Sequence, residues 1–222
     1  MKIKHIIWDW NGTLLNDLWL GIEAINVVLK RYDLPIITQE TYLDIFTFPV
    51  IEYYKKLGFD FNKNPFEVVG TEFIEEYTRR QFEAKLHPDA LDTMSCLQSM
   101  GISQSLLSAA TQGMLDTLTN YHNIQDRFMK IIGQNNHYAY GKEEAGKQWM
   151  NELHVGSHEV LFVGDTLHDL DVAKSIGADC VLIATGHTSY DRLQKSGAPT
   201  FHSLTDFAND IFRDQIGFEE VN

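Results

Sequence analysis

The chain has 222 residues, 44% of them hydrophobic and 12% aromatic, with a formal net charge of −13. That apolar content excludes an intrinsically disordered chain, and the length suits one large domain or an ordinary core carrying an insertion. The acidic balance argues against nucleic-acid binding, which rests on Lys and Arg neutralising phosphates, so an anionic ligand needs a focused local site or a bound cation.

Residues 3–8 are expected to form a buried strand. Its apolar run stops abruptly at Asp9, and the turn Trp10-Asn11-Gly12-Thr13 follows. A parallel strand delivers an acid in this way to the carboxyl edge of a sheet, where open α/β folds bind ligands. Leu18, Ile22, Ile25, Leu29 and Tyr32 then recur at helical spacing as far as Pro35. Pro49 and Pro65 each open a further helix, the first carrying Ile51, Tyr54 and Leu57, the second Phe66, Val69, Phe73 and Tyr77. Residues 15–85 thus read as a helical unit without a strand.

His87-Pro88-Asp89 marks a boundary, after which short strands and helices alternate. Strands are expected at Ile102–Leu107, ending at Ser108, at Met129–Ile132, at Val160–Val163, ending at Gly164-Asp165, and at Cys180–Ala184. Helices fall at Ala90–Met100, at Met114–Tyr121, around Ala145, Trp149 and Leu153, and up to Ile176 before Gly177. This alternation predicts an α/β fold with a parallel sheet and right-handed crossovers. The helical unit separates the first strand from the rest, so it is an insertion: 1–14 and 86–222 form the core, 15–85 the inserted part.

Cys96 and Cys180 share no metal or redox spacing and read as two buried thiols of a reducing compartment. The N-terminal apolar run is too short for a signal peptide, and no other run is long enough to span a bilayer. The expectation is a cytoplasmic protein, monomer or homodimer, with no membrane or nucleic-acid partner.

Parallel strands point their carboxyl ends to one edge, so Asp9, Ser108, Lys142 and Asp165 can converge. Two carboxylates there suit a hard cation such as Mg²⁺, while a hydroxyl and an ammonium suit the oxygens of a phosphate. Asp9 then faces phosphorus as a nucleophile, with Gly12 and Thr13 leaving room and donors beside it. An Asp before a turn is by itself often a turn former or helix cap. Ser108 alone could be a hydroxyl bonded to backbone, and Lys142 alone a solvated loop cation. Lys142 is preferred to Lys147 because it lies in the loop before a helix.

Taken together, Asp9-Trp10-Asn11-Gly12-Thr13, Ser108, Lys142 and Gly164-Asp165-Thr166-Leu167-His168-Asp169 resemble the haloacid dehalogenase-like superfamily, within it the phosphoglycolate phosphatase-like group. The resemblance implies a Rossmann-like core, a helical cap, Mg²⁺, and an aspartyl-phosphate formed from a small phosphorylated metabolite. Carried over by position, Asp9, the Asn11 carbonyl and Asp165 are metal ligands. Asp169 joins this acidic metal site by orienting Lys142 or a metal-bound water, and Ser108 and Lys142 hold the phosphoryl group.

Asn11 departs from the pattern, because phosphatases of this family usually have an Asp there as general acid and base. General acid–base catalysis is typically worth ~10²–10⁴-fold. Its loss restricts turnover to good leaving groups such as acyl or aryl phosphates, unless His168 or a cap residue supplies the proton. Two alternatives are a phosphoryl-ligand sensor with little turnover and a phosphonatase-like C–P hydrolase using Lys30, Lys55 or Lys56. Trp8 is expected in the core and Trp10 at the site entrance. Tyr42, Phe46, Phe48, Tyr53 and Tyr54 are expected to be cap core rather than substrate contacts. The Asp44–Pro49 turn is expected to close over substrate; His187 receives no role.

Overall fold

The computed structural model describes residues 3–135 and 142–213; Tyr140 and Gly141, expected in the loop before Lys142, lie outside them. In chain order the elements are β1 (His5–Trp8), β2 (Leu15–Asn16), α1 (Leu18–Arg31), α2 (Gln39–Ile45), α3 (Val50–Lys56), α4 (Phe66–Arg80), β3 (Lys85–Leu86), α5 (Ala90–Ser99) and β4 (Ser103–Thr111). There follow α6 (Gln112–Tyr121), β5 (Ile131–Gln134), α7 (Glu143–Glu152), β6 (Val160–Gly164), α8 (Leu167–Ile176), β7 (Asp179–Ile183), α9 (Tyr190–Gln194), β8 (Thr200–Phe201) and α10 (Leu204–Ile211). No helix among the described residues is long and apolar enough to cross a membrane.

Six strands form one parallel sheet in the order β5-β4-β1-β6-β7-β8. Successive side chains of a strand face opposite ways, and both faces of a parallel sheet are covered. Ile6 and Trp8 of β1, with Leu161 and Val163 of β6, accordingly enter one core. Ile7, with Val160 and Phe162, enters the other, under α7 and α8. The chain winds outward from β1 on one side through β4 and β5, and on the other from β6 onward. The winding therefore reverses beside β1, and a crevice opens at the carboxyl ends of β1 and β6.

Helices α1–α4 pack around their own cluster, which includes Ile25, Leu29, Tyr42, Tyr53, Tyr54 and Val69. Pro49 and Pro65 stand at the N-caps of α3 and α4, where proline costs no hydrogen bond. The stretch 15–85 is not wholly helical, however. β2 and β3 pair antiparallel, with Leu15 opposite Leu86, and hold the two ends of the helical excursion side by side. Elements of two residues carry no readable periodicity.

Other expectations are corrected. β4 runs on to Thr111, so Ser108 lies inside the strand, where the register against β5 slips between Leu107 and Thr111. Trp10 is fully buried in the main core and does not stand at the site entrance. Cys96 and Cys180 are free but only half-buried. The elements α9, β8 and α10 extend the fold beyond the last expected strand.

Candidate active site

Beyond Trp8 the ladder continues for one more bond, the Asp9 amide donating to Val163 O at 2.9 Å. Asp9 thus leaves β1 at the sheet edge, and Asp165 leaves the neighbouring β6 at the same level. One carboxylate oxygen from each of Asp9, Asp165 and Asp169 lies within 4.8 Å of the others, and all three side chains are buried. Asp165 is held from two sides: Thr13 Oγ1 donates to Oδ1 at 3.0 Å, and the His187 amide donates to Oδ2 at 2.6 Å.

Lys142 stands at the N-cap of α7, and its ammonium reaches into this group at 2% exposure. It forms a close ion pair with Asp9 Oδ1 and a second with Asp169 Oδ1 at 2.7 Å, and donates to Leu107 O at 3.1 Å. Its three N–H groups therefore all have acceptors. The other oxygen of Asp169 accepts from the amides of Asp165 and Thr166, at 3.1 and 2.9 Å, and from Thr166 Oγ1 at 2.7 Å. The Thr166 amide bond, with the Asp169 amide donating back to Thr166 Oγ1 at 3.4 Å, forms the capping box of α8. Asp169 is thus a rigid bracket that fixes Lys142.

Burial pushes the Asp9 carboxyl well up despite the opposing Lys142 charge. Burial likewise raises Asp165 to about 7, against the pull of His187. In Asp169 burial is outweighed by the Lys142 charge and hydrogen bond, and its pKa is lowered. The one ammonium here is shared between Asp9 and Asp169, so Asp9 and Asp165 form an undercharged pair of hard oxygen donors. A divalent cation fits such a pair. Backbone also crowds Asp165: a Cβ on Gly12 would come 2.3 Å from its Oδ2, and one on Gly186 2.0 Å.

The expected phosphoryl contacts are placed as follows. Ser108 lines the same cavity as Asp9 and Lys142, and its Oγ accepts from the Ala110 amide at 3.1 Å. The Gly12 amide, expected as a donor beside Asp9, is instead turned to Asp17 Oδ1 at 2.8 Å and Leu15 O at 2.9 Å. Thr13 is spent on Asp165. Gly12 and Thr13 therefore pack and brace the acids.

Asn11 is tied down by residues that sequence reasoning missed. Its Nδ2 donates to Asp17 Oδ2 at 2.7 Å and Tyr77 Oη at 3.0 Å, and Tyr77 in turn donates to Asp17 Oδ2 at 2.7 Å. Asp17 occupies the N-cap of α1 yet makes no capping bond with its side chain. His187 Nε2 approaches Asp17 Oδ1 at 3.4 Å, a charge contact, while its Nδ1 lies 2.9 Å from Tyr42 Oη. Burial would lower the His187 pKa, but the carboxylates, Asp17 foremost, lift it to about 9. Burial likewise opposes ionisation of Asp17, yet His187, Tyr77 and Asn11 hold its pKa below the ordinary value.

A cavity of about 170 Å³ rises from Asp9 into the helical unit. Tyr42, Phe46, Phe48, Tyr53 and Tyr54 all line it; Tyr42, Phe46, Tyr53 and Tyr54 serve as site wall as well as unit core, whereas Phe48 lies outside that core. Phe48 stacks on His168 at a centroid distance of 4.5 Å, and both rings also border a second cavity of about 470 Å³. His168 Nε2 is buried without a partner among the described residues, and burial, reinforced by Lys142, lowers its pKa. Lys30, Lys55 and Lys56 line neither cavity; Lys55 pairs with Glu52, and Lys56 donates to Ile45 O.

Residues 6–183 match the haloacid dehalogenase-like hydrolase family. The chain belongs to that family. Two phosphoglycolate phosphatases are relatives of this hydrolase over nearly full length. That of Aliivibrio fischeri is 20% identical over 95% of this chain and 94% of its own. That of Vibrio parahaemolyticus is 21% identical over 94% and 92%. Solved structures share the fold. A haloacid dehalogenase-like family hydrolase from Streptococcus pneumoniae superposes with a TM-score of 0.81, at 19% identity over 94% of this chain and 98% of the other. CbbY from Rhodobacter sphaeroides, solved in complex with phosphate, superposes with a TM-score of 0.69, at 18% identity over 92% and 96%.

Proposed function

We propose that this hydrolase is a Mg²⁺-dependent phosphomonoesterase in which Asp9 attacks phosphorus and residues 15–85 act as a cap over the core. The observation that carries this reading is the Asp9 carboxylate itself. It stands at the end of a central strand, opens into the cavity, has one oxygen fixed by Lys142, and lies beside a second buried acid. Asp9, Asp165 and the Asn11 carbonyl would hold the cation, and Asp169 would bracket Lys142. Mg²⁺ bound there would offset the charge of the two carboxylates and of the phosphoryl oxygens.

The residues divide the work. Lys142 holds Asp9 Oδ1, which leaves Oδ2 as the attacking oxygen, and its charge faces the incoming phosphoryl group. Ser108 Oγ is the hydroxyl available to a phosphoryl oxygen. As the Asp9–phosphorus bond forms, the ester P–O bond breaks and its electron pair leaves on the alcohol oxygen. Water then attacks the aspartyl-phosphate, releasing inorganic phosphate and restoring the carboxylate. Asn11 has no proton to give, so a good leaving group departs unassisted.

The test is p-nitrophenyl phosphate hydrolysis with and without Mg²⁺. Turnover should require the cation and fall by at least about 10³-fold in Asp9→Asn. Wild-type rates in Asp9→Asn would sink the mechanism. Phosphoryl binding without turnover would instead support the sensor reading, which the immobilised Asn11 amide favours. Beryllium fluoride, a phosphoryl mimic on carboxylates, should slow hydrogen exchange in residues 42–50 if the cap closes.

A further inference from the structure

The cavity above Asp9 is polar at its floor and apolar in its walls. Asp9, Ser108, Lys142 and Asp169 form the floor, while Phe46, Phe48, Tyr53, Phe73, Ile74 and Met114 stand around the space where a leaving group must lie. Among the described residues lining it, only Lys142, His168 and His187 can carry positive charge. The three N–H groups of Lys142 already have acceptors, His187 faces Asp17, and His168 is stacked on Phe48. Residues 136–141, just before Lys142, contain neither Lys nor Arg, and His137 is their one basic residue.

A leaving group carrying a carboxylate, as in phosphoglycolate, would lose its water against Phe and Ile side chains with no unpaired Lys or Arg among the described lining residues to meet it. Burying an unpaired charge is strongly unfavourable. An aromatic ring would instead lose only unfavourable contact with water. The volume suits one: an apolar cavity of about 150 Å³ accommodates benzene, and this one measures about 170 Å³. The side chain of Asn11 points the same way independently. Without a general acid, the leaving oxygen must carry its electron pair away unprotonated, and a phenol does so far more readily than an alkanol.

We propose that the cavity selects phosphomonoesters whose leaving group is an uncharged aromatic ring of about benzene size, phenols foremost, rather than carboxylated or polyhydroxylated alcohols. This rests on the phosphomonoesterase reading above. Asp9 takes the phosphoryl group, the P–O bond breaks with its pair on the phenolic oxygen, and the phenoxide gains its proton from water outside the site.

The experiment measures binding of two unreactive phosphonates, benzylphosphonate and phosphonoacetate, by calorimetry in Mg²⁺, alongside p-nitrophenyl phosphate hydrolysis. Wild type should bind benzylphosphonate at least about tenfold tighter, the effect of burying one ring. Ile74 is half-buried and belongs to neither core cluster that borders the cavity, so Ile74→Arg tests the wall without emptying a core. That variant should reverse the preference. Equal or tighter binding of phosphonoacetate by wild type overturns the proposal while hydrolysis leaves the phosphatase reading standing. An unaltered preference in folded Ile74→Arg also overturns it. Failure to bind either phosphonate, with no hydrolysis, overturns both.

Discussion

The Asn11 amide nitrogen lies 2.7 Å from Asp17 Oδ2, and the bond has a definite direction: the amide donates and the carboxylate accepts. Asp17 also accepts from Tyr77 and from the Gly12 amide. The residue at position 11 must therefore be a donor, and a carboxylate there would meet another carboxylate. The departure at Asn11 belongs to a network and is not an isolated change.

Asn11→Asp alone should consequently not restore a general acid. It should destabilise the fold by about 1–3 kcal/mol, because a carboxylate at this half-buried position loses the bond to the buried Asp17 and faces its charge. Asn11→Asp combined with Asp17→Asn reverses the direction of the bond and should recover most of that loss. Benzyl phosphate, a poor leaving-group ester, should then turn over at least about tenfold faster than with wild type. Chemical denaturation and steady-state rates of wild type and the two variants check this; a stable, fully active single variant would contradict it.

Asp169→Asn keeps an oxygen for the Thr166 amide but loses the ion pair that fixes Lys142. Residues that orient a catalytic group typically contribute ~10–100-fold. The expected result is that loss in kcat, with the KM for p-nitrophenyl phosphate changed much less. A loss confined to KM would instead assign Asp169 to substrate binding.

Gly186→Ala would place a Cβ 2.0 Å from Asp165 Oδ2 and 2.6 Å from Gly12 Cα. Neither the backbone nor the doubly bonded carboxylate can yield cheaply, so Asp165 must move. Mg²⁺ should raise the melting temperature of wild type but not of the variant, whose intrinsic stability should fall by about 1–3 kcal/mol. A variant that keeps the full Mg²⁺ response would show that Asp165 is not a ligand.

His5 offers a pH test remote from the active site. Its ring spans two serines, with Nδ1 2.7 Å from Ser103 Oγ and Nε2 2.8 Å from Ser105 Oγ. Ser103 donates onward to Lys4 O, and Trp149 Nε1 donates to Ser105 Oγ, a chain satisfied by a neutral ring with its proton on Nδ1. Burial lowers its pKa from 6.5 to about 4. A lowered value means that the unfolded chain binds the proton first. The contribution is therefore present above pH 6.5 and is lost as pH falls toward 4, by about 3 kcal/mol in all. Urea titrations at pH 7.5 and 4.5 should show a steeper decline for wild type than for His5→Gln. Identical declines would refute the assignment.

The acids at the sheet edge were readable because a strand buried on both faces tolerates no charge until it ends. Asp9 and Asp165 interrupt apolar runs, and Lys142 stands immediately before a helix. Asp17 was not readable: one residue before a helix, it looks like a cap, and only the folded turn aims it at Asn11 and Gly12. His187 was singled out without a role because its partners lie about 145 and 170 positions away in sequence. The extent of β4 was hidden for another reason. Its apolar run of large side chains ends at Leu107, whereas the strand continues through Ser108 and two alanines and pairs again, after a shift in register, at Thr111.

The short ribbon of β2 and β3 places the departure and return of the helical excursion in adjacent positions, Leu15 against Leu86. A different excursion spliced between those two points would leave the threading of the six-stranded sheet untouched. Evolution could thus exchange what surrounds the leaving group while inheriting the phosphorus chemistry whole, and a laboratory chimaera joined at this ribbon would have the same freedom.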